Sequence, residues 1–112
     1  MIKKVYSVAV VVSDGKKARA WYTKKLGFKL VENYDHWITV APKGSKTLLH
    51  LCESDRLEFG NTGIGFETDS VDKSYKELSK KGVEFTRKPE DEGWGKSAMF
   101  KDLDGNVFWL FE

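Results

Sequence analysis

The sequence predicts an α+β chain built from two copies of a βαβββ module. Three observations carry this. The order of apolar patterns, one strand, one helix and then three strands, runs twice along the 112 residues. Each helix is bounded in the same way, by a cap-type residue (Asp14; Asp69 or Ser70) and by a glycine thirteen residues after the aspartate, Gly27 and Gly82. Each glycine is followed by a strand-like segment, "FKL" or "VEF". Two copies of so long a unit do not make a solenoid.

The elements follow in order. "KKVYSVAVVV" (3–12) is rich in valine and reads as a strand. Ser13 and Asp14 are N-cap types, and Ala18, Trp21, Tyr22 and Leu26 recur at helical spacing, with Trp21 assigned to the core. "FKLVEN", "HWITVA" and "TLLHLCE" are the next three strands, with a turn at "PKGSK". In the second module "GIGFET" is a strand, and Val71, Tyr75 and Leu78 mark the apolar stripe of a helix. "VEFTRK", "KSAMFKD" and "NVFWLFE" close the module, with a polar loop "PEDEGWG" and an Asp104-Gly105 turn between them. The expected organisation is a single domain over 1–112: module one at 1–53, a linker at 54–62 and module two at 63–112.

Composition narrows the function classes. Net charge is +2, with acidic and basic residues interleaved, which predicts no nucleic-acid partner and no membrane surface. One cysteine, Cys52, excludes an intrachain disulfide and a cysteine-rich zinc site, and places the chain by default in the cytoplasm. "VYSVAVVV" is too short to span a bilayer and lacks a signal-peptide pattern, so Met1 is taken as the start. Glycine-rich phosphate loops and the H-E-x-x-H pattern are absent.

Two segments resemble a known family. "VAVVVSDGKKARAWYTKKLGFKL" is similar to the opening of the vicinal-oxygen-chelate superfamily, which includes glyoxalase I, bleomycin-resistance proteins and extradiol dioxygenases. The matching marks are Asp14, the Trp21-Tyr22 pair and Leu26-Gly27-Phe28. "FKDLDGNVFWLFE" resembles the family's closing Asp-Pro-Asp-Gly-Asn signature, with Leu103 where proline is usual. The resemblance covers essentially the whole chain. It implies a cupped, mixed eight-stranded sheet with helices on its outer face, a ligand in the cup and a homodimer.

Strand alternation then sorts side chains by face. Val8, Val10 and Val12 suit the helix side, leaving Ser7, Ala9 and Val11 toward the cup. Phe108 and Leu110 go to the helices, and Val107, Trp109 and Phe111 face the cup. His50 and Cys52 face inward opposite Leu49 and Leu51; Gly63, Gly65 and Glu67 do so opposite Ile64 and Phe66; Trp37 and Thr39 do so opposite Ile38 and Val40. Metal-dependent relatives place a His, Glu or Gln on each of four strands. By motif spacing these positions are Ser7, His50, Gly63 and Trp109, of which only His50 is a strong ligand at neutral pH. A catalytic ion needs about three protein ligands, so no metal and no other cofactor is expected.

Each candidate keeps two readings. His50 is a hydrogen-bonded pocket histidine or an acid–base and ligand-orienting group. Glu67 is its inward carboxylate partner or a rim residue open to water. Trp94, between glycines, contacts ligand or anchors its loop. Cys52 reads as a small apolar side chain without a pKa-lowering neighbour, and Asp35-His36 as a turn. Trp109 fills a retired metal site or floors a new apolar one. The expected function is small-molecule binding of the glyoxalase/bleomycin-resistance type, catalysis unassigned. The ligand, apolar or aromatic, would be held by Ser7, Trp37, His50, Gly63, Glu67, Trp94 and Trp109. Indole stacking would suit a flat, aromatic or cationic ligand, although a slightly basic chain is a poor host for bleomycin itself. The alternative is a metal-dependent lyase, isomerase or dioxygenase using displaced ligands such as His50, Glu67, His36 or Glu112. It requires coordinated register errors.

Overall fold

The computed structural model describes residues 1, 3, 5–53 and 59–112, apart from the side chains at 61 and 63. Residues 54–58 of the expected linker lie outside the described residues, as does Lys4 of the first expected strand. The chain forms two compact units, Met1–Phe59 and Gly60–Glu112. The first holds β1 (Ser7–Val12), α1 (Gly15–Lys25), β2 (Lys29–Tyr34), β3 (Trp37–Ala41) and β4 (Leu48–Glu53). The second holds β5 (Asn61–Glu67), α2 (Val71–Lys80), β6 (Glu84–Asp91), β7 (Lys96–Lys101) and β8 (Val107–Phe111). The expected α+β order of two βαβββ modules is therefore present. Its eight strands are hydrogen-bonded as two four-stranded mixed sheets, ordered β1-β4-β3-β2 and β5-β8-β7-β6. Among the described residues no helix is long and apolar enough to cross a membrane.

In each sheet the first strand pairs in parallel with the last, and the other pairs are antiparallel. β1 is shorter than the expected 3–12 because its ladder starts only where β4 begins, at the Ser7–Leu48 pair. β6 is longer than expected and takes in Pro89. It is an edge strand, where a missing N–H is tolerated. The loop expected over "PEDEGWG" shrinks to Glu92–Gly95.

The helix boundaries follow from local chemistry. Asp14 Oδ1 accepts from the Lys17 N–H at 3.0 Å, and Ser70 Oγ accepts from the Lys73 N–H at 3.2 Å. Gly27 and Gly82 follow the helices at φ 71° and 89°, a left-handed conformation that glycine adopts without strain. After α2 the N–H groups of Gly82 and Val83 donate to the carbonyls of Ser79 and Leu78, both at 3.0 Å, forming a Schellman motif.

Each helix start also receives a second capping contact, from a distant carboxylate, that the sequence did not lead one to expect. Glu53, the last residue of β4, accepts from the Gly15 N–H through Oε1 at 2.5 Å. Glu112, just past β8, accepts from the Val71 N–H through Oε2 at 2.9 Å. Both meet free N–H groups at the positive end of a helix.

The cores lie between helix and sheet. In the first unit Val10, Val12, Ala18, Tyr22, Ile38, Val40, Leu49 and Leu51 are buried. Trp21, expected in the core, is only half-buried and meets Tyr22 edge-on at 5.1 Å; Tyr22 takes the interior position. The second unit has an aromatic core: Phe100 and Phe108 are fully buried, with Phe66, Phe85 and Tyr75 packed around them at 4.7–6.2 Å between ring centroids.

The closing turn is organised by a buried carboxylate. Asp102 accepts from the Asp104 N–H at 2.8 Å, the Asn106 N–H at 2.9 Å and the Asn106 amide at 2.9 Å. Asn106 in turn accepts from the Gly60 N–H at 3.2 Å, which ties the turn to the start of β5. Asp102→Ala strands these buried donors and is expected to cost about 2–4 kcal/mol in urea unfolding. Glu112→Ala removes only the acceptor at the α2 start, with an expected cost of about 1–2 kcal/mol. Amide exchange should quicken at the first turn of α2 and stay unchanged at that of α1.

Candidate functional site

Each sheet has one face covered by its helix. The Phe85–Tyr75 ring contact marks that face in the second unit, and Ile38, beneath Gly15, marks it in the first. The candidate residues lie on the opposite faces, and each unit presents its own cluster.

In the first unit the ladder sets Ala9, His50 and Thr39 side by side across β1, β4 and β3. His50 and Cys52 are half-buried, alternating with buried Leu49 and Leu51, as the expected parity requires. Trp37 lies against His50, with ring centroids 4.0 Å apart and planes inclined by 36°. The His50 Nε2 is buried and meets no hydrogen-bond partner among the described residues.

Glu32 completes this cluster and was not anticipated. The Trp37 indole N–H donates to it and, with the Tyr6 hydroxyl at 3.0 Å and the Thr39 hydroxyl at 3.2 Å, holds its carboxyl below the usual carboxylate range against partial desolvation. The same bond pushes the Tyr6 hydroxyl up. Glu32 reaches this face through a bulge. Leu30 pairs with Val40 but Glu32 pairs with Thr39, so Val31 is the extra residue and alternation is reset behind it.

The second unit sets Gly65, Trp109, Met99 and Arg87 in one row across β5, β8, β7 and β6. The Arg87 guanidinium lies over the Trp109 ring, its carbon 5.0 Å from the centroid. Its Nη2 donates to Glu92 Oε1 at 2.9 Å and to the Ser97 hydroxyl, which itself donates to Glu92 at 2.8 Å. Nη1 is 3.5 Å from Glu90. The Arg87 Nε is buried without a partner among the described residues.

A bulge is responsible here too. Phe85 pairs with Phe100 and Arg87 with Met99, leaving Thr86 as the extra residue. Strict alternation would have put Arg87 on the helix side with Phe85, which is why pattern reading passed over it. The usable signal was the repeat itself. Glu32 stands five residues after Gly27, and Arg87 five after Gly82.

The remaining expected residues are placed less centrally. Gly65, not Gly63, is the ladder partner of Trp109; Gly63 lies in an irregular stretch of β5 between Asn61 and Gly65. A methyl group at Gly65 would come within 2.8 Å of the Phe111 ring, so glycine is needed there for that ring to lie flat. Ser7 is half-buried at the end of the β1 ladder, beside Leu48. Glu67 is exposed. Trp94 is 66% exposed at the tip of the Glu92–Gly95 turn. His36 sits with Asp35 in the exposed β2–β3 turn.

The four positions that motif spacing matches to the metal ligands of related enzymes, Ser7, His50, Gly63 and Trp109, are a donor set with one good ligand. Among the described residues no three His, Cys, Asp or Glu side chains are grouped to hold an ion. Of the displaced ligands considered, Glu112 is engaged at the start of α2 and His36 lies in its turn. The residues present do not fit the family metal.

Comparison with known proteins agrees with the fold. The model of the Glyoxalase/Bleomycin resistance protein/Dioxygenase superfamily matches residues 4–110. YetH of Bacillus subtilis (strain 168) is 37% identical over 120 residues, covering 100% of both chains. A crystal structure of a superfamily member from Sphaerobacter thermophilus DSM 20745 superposes with a TM-score of 0.90 at 36% identity, covering 99% of this chain and 98% of that one. TnmS3, an antibiotic binding protein from Streptomyces sp. CB03234, gives 0.88 at 36% identity, covering 98% and 95%. With the family model matched over residues 4–110 and a member's structure superposing over 99% of the chain, the chain belongs to the glyoxalase/bleomycin resistance protein/dioxygenase superfamily.

Proposed function

We propose that this chain is a small-molecule binding protein that holds an apolar or aromatic ligand without the family's metal centre. The observation that carries the reading is Trp109. At a position where metal-using relatives keep a ligand, the chain has an indole, with a row of Gly65, Met99 and Arg87 built around it. An indole N–H is a donor only and cannot coordinate an ion, whereas its face offers a broad apolar surface. The likeness to TnmS3, an antibiotic binding protein, supports this class of function.

In this reading each unit offers its own indole face, Trp37 in the first and Trp109 in the second, and His50 beside Trp37 has a buried ring nitrogen without a partner among the described residues. Ser7 in the first unit, and Gly63, Glu67 and the exposed Trp94 in the second, are the further candidate contacts. Apolar walls with few polar groups are what such sites need.

Trp109→Ala is expected to weaken a bound aromatic ligand by about tenfold or more, the scale of losing one aromatic anchor, with the unfolding midpoint little changed. Calorimetry that finds unchanged affinity removes Trp109 from the site. Elemental analysis after dialysis should find no stoichiometric nickel, zinc, manganese or iron; a retained equivalent overturns the metal-free reading.

A pH dependence follows from Glu32. Its carboxyl is held low by the bonds it accepts, so the stabilisation is present above the ordinary carboxylate value and is lost as pH falls through the lowered one. Ligand affinity should fall across that acid range as Trp37 loses its acceptor. The fall should be absent in Glu32→Gln, measured by titration at constant ionic strength.

A further inference from the structure

We propose that Arg87 is the polar handle of the ligand site and that it selects an aromatic ligand bearing a neutral oxygen acceptor, such as a ketone, over a cationic one. The inference rests on the reading of Trp109 as a ligand surface and narrows the chemistry of what binds there.

Three independent features converge on Arg87. The bulge at Thr86 turns its side chain away from the aromatic core and onto the Trp109 face. Bulges commonly re-aim a side chain next to a working site. The guanidinium is then held in place, with its carbon 5.0 Å above the Trp109 ring and Nη2 bonded to Glu92 and Ser97. Finally, Nε is buried with no acceptor among the described residues. A buried donor without a partner is costly and uncommon in a native fold. Here it belongs to a group whose other nitrogens are already engaged, so Nε is the donor of that group still able to take an acceptor.

The charges define what can fill it. The guanidinium already occupies the cation-binding side of the indole quadrupole, so a cationic ligand would meet a like charge where its own cation–π contact would form. An anion would meet Glu90 and Glu92, which flank Arg87 on the other side. A neutral carbonyl oxygen avoids both and accepts from a single N–H. Met99, between Arg87 and Trp109 in the ladder, is an unbranched thioether able to move aside for it.

The test uses three probes with one ring system, acetylnaphthalene, ethylnaphthalene and naphthylmethylammonium, titrated into the full chain by calorimetry. The ketone should bind about tenfold tighter than the hydrocarbon, and the ammonium weakest of the three. Arg87→Met should bring ketone and hydrocarbon to the same affinity, so that the roughly tenfold preference disappears. Independently of any variant, the Arg87 Nε–H resonance, assigned by its contact with the Trp109 ring, should shift with the ketone and not with the hydrocarbon. Equal binding of ketone and hydrocarbon, a preference for the ammonium, or an unmoved Nε–H resonance overturns the role of Arg87 and leaves the site standing. Failure of all three probes to bind overturns the site and this inference together.

Discussion

A carboxylate from the end of the sheet on the first N–H of the helix ties each unit together. The parallel pairing of first and last strands makes this possible. β1 hands the chain to α1 at the end of the sheet where β4 finishes, and the Val12–Glu53 pair leaves Glu53 beside Gly15. A methyl group on Gly15 would meet both Glu53 Oε1 and Ile38 at 3.0 Å, so the glycine keeps that approach open. In the second unit the Glu67–Phe111 pair and the Thr68 N–H to Phe111 carbonyl bond at 2.8 Å bring Glu112 to Val71 in the same manner. The contact sets where each helix begins, and thereby which face of the sheet it covers. The opposite face of each sheet carries the candidate residues.

The second constraint is the bulge that follows each helix. Three and five residues after Gly27 stand Leu30 and Glu32; at the same distances after Gly82 stand Phe85 and Arg87. In both copies the apolar residue pairs with a buried residue of the next strand, Leu30 with Val40 and Phe85 with Phe100. The bulged residue then resets the alternation, and the charged one emerges on the other face beside a tryptophan. The device is therefore a property of the module, and the two chemistries are what changed between copies. One bulge delivers a carboxylate to Trp37, the other a guanidinium to Trp109.

This explains what was legible in the sequence and what was not. The module order, Asp14 as a cap, the stop glycines and the parity of β4 and β8 all depend on local chemistry or strict alternation, and pattern reading reaches them. Glu32 and Arg87 lie just behind an extra residue. A rule of period two sends them to the wrong face, and no local signal in "KLVE" or "EFTR" announces the bulge. Glu53 and Glu112 were invisible for a different reason. They act on residues 38 and 41 positions away, a separation that only the parallel closure of the sheet removes. Trp21 was misplaced because two adjacent aromatics on a helix cannot both point inward, and Tyr22 is the one that does.

The two charged residues also differ in what remains unused. Glu32 accepts from Trp37, Tyr6 and Thr39 and so serves within the protein as the group that orients an indole against His50. Arg87 has its terminal nitrogens committed to Glu90, Glu92 and Ser97, but Nε is not. Equivalent positions of a duplicated scaffold thus supply one closed network and one with a donor to spare. In the proposed metal-free site, where the resemblance matches ligand positions to glycine, serine and tryptophan, directional chemistry toward a ligand has to come from the few buried polar atoms without a partner among the described residues. His50 Nε2 and Arg87 Nε are such atoms, and both lie beside an indole.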